Sequence, residues 1–195
     1  MSLFNFKELQ CCYLRNIGLV FPNKTKCIII GSNQSILTGH YGDYIDNADA
    51  VVVRINRMPT DAYFANYGHR TDMIVGYDPK LGGLYKYPAQ YRLALHSFEE
   101  LAKREFNITR ATTGFGAILL LGCVFDEIEL FGYGFTKREY EDGYFHYLDG
   151  TTFEGYHDLR EEDAAINKLQ QQFKGKIYRG EEVHEELRCD NTCEK

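Results

Sequence analysis

The sequence predicts a single α/β domain of three layers, with helices on both faces of a mostly parallel central sheet. Three observations predict it. Short apolar, β-branched runs alternate with longer amphipathic stretches, as doubly buried parallel strands and their crossover helices require. The 195 residues contain no Pro/Gly/Ser-rich linker and no internal repeat, so residues 1–195 read as one domain. Hydrophobic residues make up 44% and charged residues 26%, with only 4 prolines, which is the composition of a globular chain that buries its own core.

Taken in order, the predicted strands are "KCIIIG", "AVVVRIN", "TDMIVGY", "YRLALHS", "FNITRA", "EIELFGYG" and a short late "KIYRG". Between them "GDYIDNA", "SFEELAKRE", "TGFGAILLLGCVF" and "HDLREEDAAINKLQQQF" read as helices. The last has Leu159, Ala164, Ile166, Leu169 and Phe173 directed toward a core and a charged opposite face. The long stretch "GFTKREYEDGYFHYLDGTTFEGY" has neither period, and a segment of that length is expected to be a functional loop.

A net charge of -6 and a pI near 5.5 argue against nucleic acid or an anionic membrane as partner, since either would need a basic stripe. "MSLFNFKELQCCYLRN" is interrupted by Lys7, Glu8 and Arg15 and has no signal-peptide core. "ATTGFGAILLLGCVF" is too short to span a bilayer as a helix. A soluble, cytoplasmic chain is the expectation. Its six cysteines form no paired zinc framework, and reduced thiols are expected.

Four segments can carry chemistry. The first strand runs into "GSNQSILTGHYG", and the carboxyl end of a central strand is where open α/β sheets bind ligands. Gly31, Ser32 and Asn33 form a small polar turn whose backbone N–H groups suit a phosphate. It is neither a Walker loop nor GxGxxG, so a plain connection and a nucleotide site stand as equal readings. Asn56, after the second strand, reads either as a ligand contact or as a turn cap. In "RATTGFGAILLLG", Thr112 or Thr113 caps a helix, and Gly114 allows close approach to its positive end.

His146 and His157, eleven residues apart, have no obvious third ligand, and HExxH and Asp-x-Asp are absent, so no metal is expected. An unperturbed imidazole titrates near pH 6.5, which suits acid–base work if these are not simply surface residues.

In order and spacing these pieces resemble the sialyltransferases of animals and plants, glycosyltransferase family twenty-nine. "CIIIGSNQSILTGHYGDYIDNADAVVVRINRMPTDAYFANYGHRTDMIV" is similar to that family's large sialylmotif, and "ATTGFGAILLLGCVFDEIELFGYGF" to its small one. "HYLD" resembles the third motif, and His157 with Glu162 the H-x-x-x-x-E of the very small one.

The resemblance implies a Rossmann-like fold of the GT-A type, in its sialyltransferase variant. It also implies inverting transfer of sialic acid from a CMP-sugar to a hydroxyl of a glycan acceptor, with no metal or other cofactor. Gly31, Ser32, Asn33, Asn56, Thr112, Thr113, Gly114 and Glu162 would then form the CMP-sugar site. His146 would steady the leaving phosphate, and His157 would be the general base. The aromatic segment from Tyr133 to Tyr156 would offer faces for the acceptor sugar. The chain departs from the family in having Ser32 before Asn33 and Phe125 in place of a cysteine, so Cys27 and Cys123 are expected to be free thiols.

By the same resemblance the chain is expected to be a minimal member without anchor or stem. A Kdo-type donor, hydrolysis of the CMP-sugar and a catalytically silent CMP-binding module are the alternatives.

Overall fold

The structure, a computed structural model, describes residues 21–56, 63–76, 89, 91–94, 98–133 and 157–188. Its strands are β1 (Lys26–Ile30), β2 (Val51–Ile55), β3 (Met73–Gly76), β4 (Tyr91–Ala94), β5 (Glu127–Phe131) and β6 (Ile177–Arg179). They form one six-stranded sheet in the order β4-β3-β2-β1-β5-β6, and each ladder is parallel. The helices are α1 (Gly42–Asn47), α2 (Phe64–Tyr67), α3 (Phe98–Phe106), α4 (Thr113–Leu121), α5 (Leu159–Gln172) and α6 (Gly180–Val183). Short 3₁₀ turns lie at Gln34–Thr38 and Glu185–Leu187.

The three layers follow from the period-2 alternation of strand side chains. Cys27, Ile29, Val51 and Val53 face one core, which they share with Phe98 and Leu101 of α3, Ile118 of α4 and Ile166 of α5. Ile28, Ile30 and Val52 face the other, packed by Ile45 of α1 and Tyr67 of α2. Both faces are covered, which explains why β1 and β2 read as unbroken apolar runs. Helix α4 is buried from Phe115 through Leu121 and is apolar all round, as an internal helix must be. Gly116 lets α3 close on it, for an added Cβ would stand 2.5 Å from the Phe98 ring.

One predicted strand, "FNITRA", is absent. Phe106 ends α3, and Asn107 takes a left-handed conformation with φ 60°. The Asn107 and Ile108 N–H groups donate to the Lys103 and Ala102 carbonyls at 3.0 and 3.2 Å. Asparagine tolerates this cap conformation, and satisfying the helix end outweighs the β-propensity of its neighbours. Helix α4 also stops at Leu121, short of the predicted end, with Gly122 as its C-cap.

Cys27 is buried, which pushes its thiol up, and the half-buried Cys123 donates from Sγ to the Leu119 carbonyl at 3.3 Å. No helix among the described residues is long and apolar enough to cross a membrane.

The strand order positions the site. From β1 the chain steps outward through β2, β3 and β4, then returns to lay β5 on the other side of β1. The connections leaving β1 and β5 diverge, and a crevice opens between their carboxyl ends.

Candidate active site

The crevice is floored by two turns pressed against each other. After β1, Gly31 approaches Gly132 so closely that a Cβ on Gly31 would stand 2.6 Å from the Gly132 carbonyl oxygen. Gly132 itself has φ 70°, a conformation glycine adopts without penalty. The Asn33 N–H donates to the Gly132 carbonyl at 3.2 Å. Asn33 is buried, and its Oδ1 accepts from the Ser35 N–H at 2.8 Å, capping the 3₁₀ turn. Beyond β2, Asn56 turns the chain with φ 60°, its N–H donating to the Val75 carbonyl at 2.8 Å.

The third wall is the N-terminus of α4. The Thr112 Oγ1 accepts from the Phe115 N–H at 3.1 Å, the N-cap expected of a threonine in extended conformation. The same hydroxyl donates to Glu162 Oε2 at 2.8 Å, and the Thr112 N–H donates to Glu162 Oε1. Both carboxylate oxygens of Glu162 are therefore engaged by Thr112. Burial pushes the Glu162 carboxyl up to about 7, against the Thr112 hydrogen bonds that pull it down. Tyr133 lies beneath this wall, its hydroxyl donating to the Gly114 carbonyl at 3.2 Å.

The fourth wall is the start of α5. Asp158 accepts at Oδ2 from the Thr109 and Arg110 N–H groups at 3.0 Å each. Its Oδ1 accepts from the Arg110 guanidinium, with Nη2 at 3.0 Å. The Arg110 backbone hydrogen bond is the chief cause holding the Asp158 carboxyl below the usual range. This clasp sets His157, whose Nδ1 lies 3.1 Å from the Arg110 carbonyl oxygen. A carbonyl can only accept, so Nδ1 carries the proton, and in the neutral ring Nε2 holds the lone pair.

These walls enclose a cleft of about 680 Å³, counted to its open mouth. Gly31, Ser32, Asn33, Asn56, Thr112, Thr113, Gly114, His157 and Glu162 all line it, so the residues expected from the sequence meet in one place. His146 and the aromatic stretch from residue 134 to 156 lie outside the described residues. Tyr133, expected to present a face to an acceptor, lines the cleft as well but is largely buried under α4.

Gly132, Ile55, Leu159 and Ile166 also line the cleft and were not anticipated. Of these only Gly132 carries a local signal, a glycine ending a strand. Asp158 and Arg110 have none, because their partnership spans 48 residues.

Chemically, the cleft offers a helix N-terminus and polar turns to an anion, and an oriented imidazole to a proton. A parallel α/β sheet with such a cleft at its switch point defines a ligand-binding α/β domain. The model of glycosyltransferase family 29 (sialyltransferase) matches residues 21–81 and 86–174, and the chain belongs to that family. It is a sialyltransferase-type glycosyltransferase.

Two crystal structures of a mammalian sialyltransferase are similar in fold. One, in complex with Gal-beta-1-3GalNAc-ortho-nitrophenol, superposes with a TM-score of 0.57 at 18% identity, covering 80% of this chain and 69% of that one. The other gives 0.59 at 17% identity, covering 80% and 68%. No curated protein matches the chain significantly in sequence.

Proposed function

We propose that the cleft binds a CMP-linked acidic sugar, sialic acid or a related keto-acid, and transfers it with inversion to a hydroxyl of a glycan. In this reading the Gly31–Asn33 turn, Asn56 and the Thr112–Gly114 helix start hold the CMP moiety. The acceptor oxygen attacks the anomeric carbon as the carbon–oxygen bond to phosphate breaks. The bonding pair leaves with CMP, and the acceptor proton passes to His157 Nε2.

Positive charge grows on the sugar ring and negative charge on CMP, so N–H groups aimed at the phosphate count most in the transition state. His146 is assigned to the departing phosphate. No metal or other cofactor is required, because the helix terminus and imidazole take up the charge and the proton.

The observation that carries the reading is the His157 hydrogen bond to the Arg110 carbonyl, which selects the tautomer a base needs in a cleft with an anion-binding helix start. The test is CMP release with a panel of CMP-sialic acid and CMP-Kdo donors, with and without a galactose-terminated glycan. One of the similar structures holds Gal-beta-1-3GalNAc-ortho-nitrophenol, which makes that glycan the first acceptor to try. Release that rises with acceptor is expected. No release from either donor would overturn the reading.

A further inference from the structure

Behind the cleft, outside the residues that line it, lies a carboxylate with an unusual set of partners. Glu181 of α6 is largely buried, with 6% of its surface exposed. Its Oε1 accepts from the Gly132 N–H at 2.6 Å and from the Ser35 hydroxyl at 3.1 Å. Those donors belong to the two turns that floor the cleft, one after β5 and one after β1. A single oxygen therefore ties together two turns that, beyond the β1–β5 ladder, also meet through the Asn33 N–H bond to the Gly132 carbonyl at 3.2 Å.

We propose that Glu181 is a positioning residue of the donor cleft, fixing through Gly132 and Ser35 the separation of the two turns on which the donor rests. The left-handed Gly132 is what turns the chain so that Tyr133 reaches the Gly114 carbonyl, and its N–H is the group Glu181 holds. On the other side Ser35 is the residue whose N–H Asn33 caps, so holding its hydroxyl holds Asn33 as well. Glu181 is itself anchored from behind. The Arg188 Nε donates to the Glu181 carbonyl at 2.8 Å, and the Leu187 carbonyl accepts from the His40 N–H at 2.8 Å. The 180–188 segment thus grips both ends of the turn from Asn33 to His40. Gly180 permits this approach, since a Cβ there would stand 2.1 Å from the Phe131 ring.

The affinity part of the test rests on the proposed donor reading, while a second measurement does not. Glu181→Ala removes the shared acceptor, and Glu181→Gln keeps an oxygen in its place. Glu181→Ala is expected to raise the donor KM and the Kd for CMP about tenfold or more, with kcat at saturation within about threefold, because misplaced binding groups cost affinity. Glu181→Gln is expected to restore both. Amide exchange read by NMR should speed up at Gly132 in the alanine variant and return toward wild type in the glutamine variant.

Equal effects of Ala and Gln, or unchanged exchange and KM in a folded alanine variant, would overturn the proposal. If the alanine variant does not fold, Ser35→Ala takes its place. It should loosen the exchange of residues 33–35 and raise KM while Gly132 stays protected, and no change would count against the tie. A wild type that binds no CMP refutes the donor reading, yet the exchange measurements still decide on Glu181.

Discussion

His157 is held through Nδ1, which donates to the Arg110 carbonyl. Its fixed tautomer predicts that His157→Ala will lower turnover by roughly a hundred- to ten-thousandfold while CMP affinity, measured by calorimetry, stays within about threefold. An equal loss of both would make His157 structural.

Glu162 makes a different prediction. Its folded pKa of about 7 lies above the ordinary 4.5, so the folded state keeps a proton that the unfolded chain has released. That stabilisation is complete below pH 4.5 and is lost as pH rises through 7, a fall on the order of 3 kcal/mol across the window. Urea midpoints for wild type and Glu162→Gln should therefore converge toward a flatter pH profile in the variant over that range. Parallel profiles would show that Glu162 ionises as it does in the unfolded chain.

Among elements, the two turns at the ends of β1 and β5 leave little room. Gly31→Ala would drive a Cβ against backbone oxygen rather than a flexible side chain, so one of the turns must shift. A loss of about 1–3 kcal/mol, read by thermal or urea unfolding, is expected together with weaker CMP binding.

The same elements show what the sequence could reveal. β1, β2 and β3 were legible because a parallel strand buried on both faces is a largely continuous apolar run, and β5 because Glu127 and Glu129 alternate with Ile128 and Leu130. Residues 106–111 were misread because Phe, Ile and Thr carry β-propensity, while the deciding residue is Asn107, whose capping role needs the preceding helix to be in place. Gly31, Asn33, Asn56, Thr112 and Gly114 could be found because they follow strands or open a helix, the places where ligands meet parallel sheets. Glu181, Asp158 and Arg110 could not, since each acts through a backbone or side-chain partner 48 or 49 residues away and leaves no periodic trace.

Across the whole molecule, the side of the sheet opposite α4 is fastened by charge. Glu129 is fully buried and accepts from Tyr44 at 2.8 Å, with Lys26 at 2.9 Å and His184 Nε2 at 2.8 Å. Lys26 also donates to the Tyr178 hydroxyl at 2.7 Å, and Tyr178 donates to Glu127. Burial alone would lower the Lys26 ammonium, but hydrogen bonds to Tyr178 and Glu129 raise it overall. The two glutamates that share a face of β5 thus serve to join β1, β5, β6, α1 and the segment after α6. Glu129→Ala would leave Lys26 with Glu127 at 3.1 Å as its remaining carboxylate and take the acceptor from Tyr44, and is expected to cost about 1–3 kcal/mol in urea unfolding. A loss below 1 kcal/mol would mean the network is solvated.

The tie made by Glu181 has a consequence for biosynthesis. A chain leaving the ribosome delivers the two floor turns, around residues 31 and 132, well before residue 181 emerges to join them. The nascent polypeptide can thus assemble its inner strands early, and on the donor reading proposed above it would reach full affinity for a nucleotide sugar only once α6 has docked.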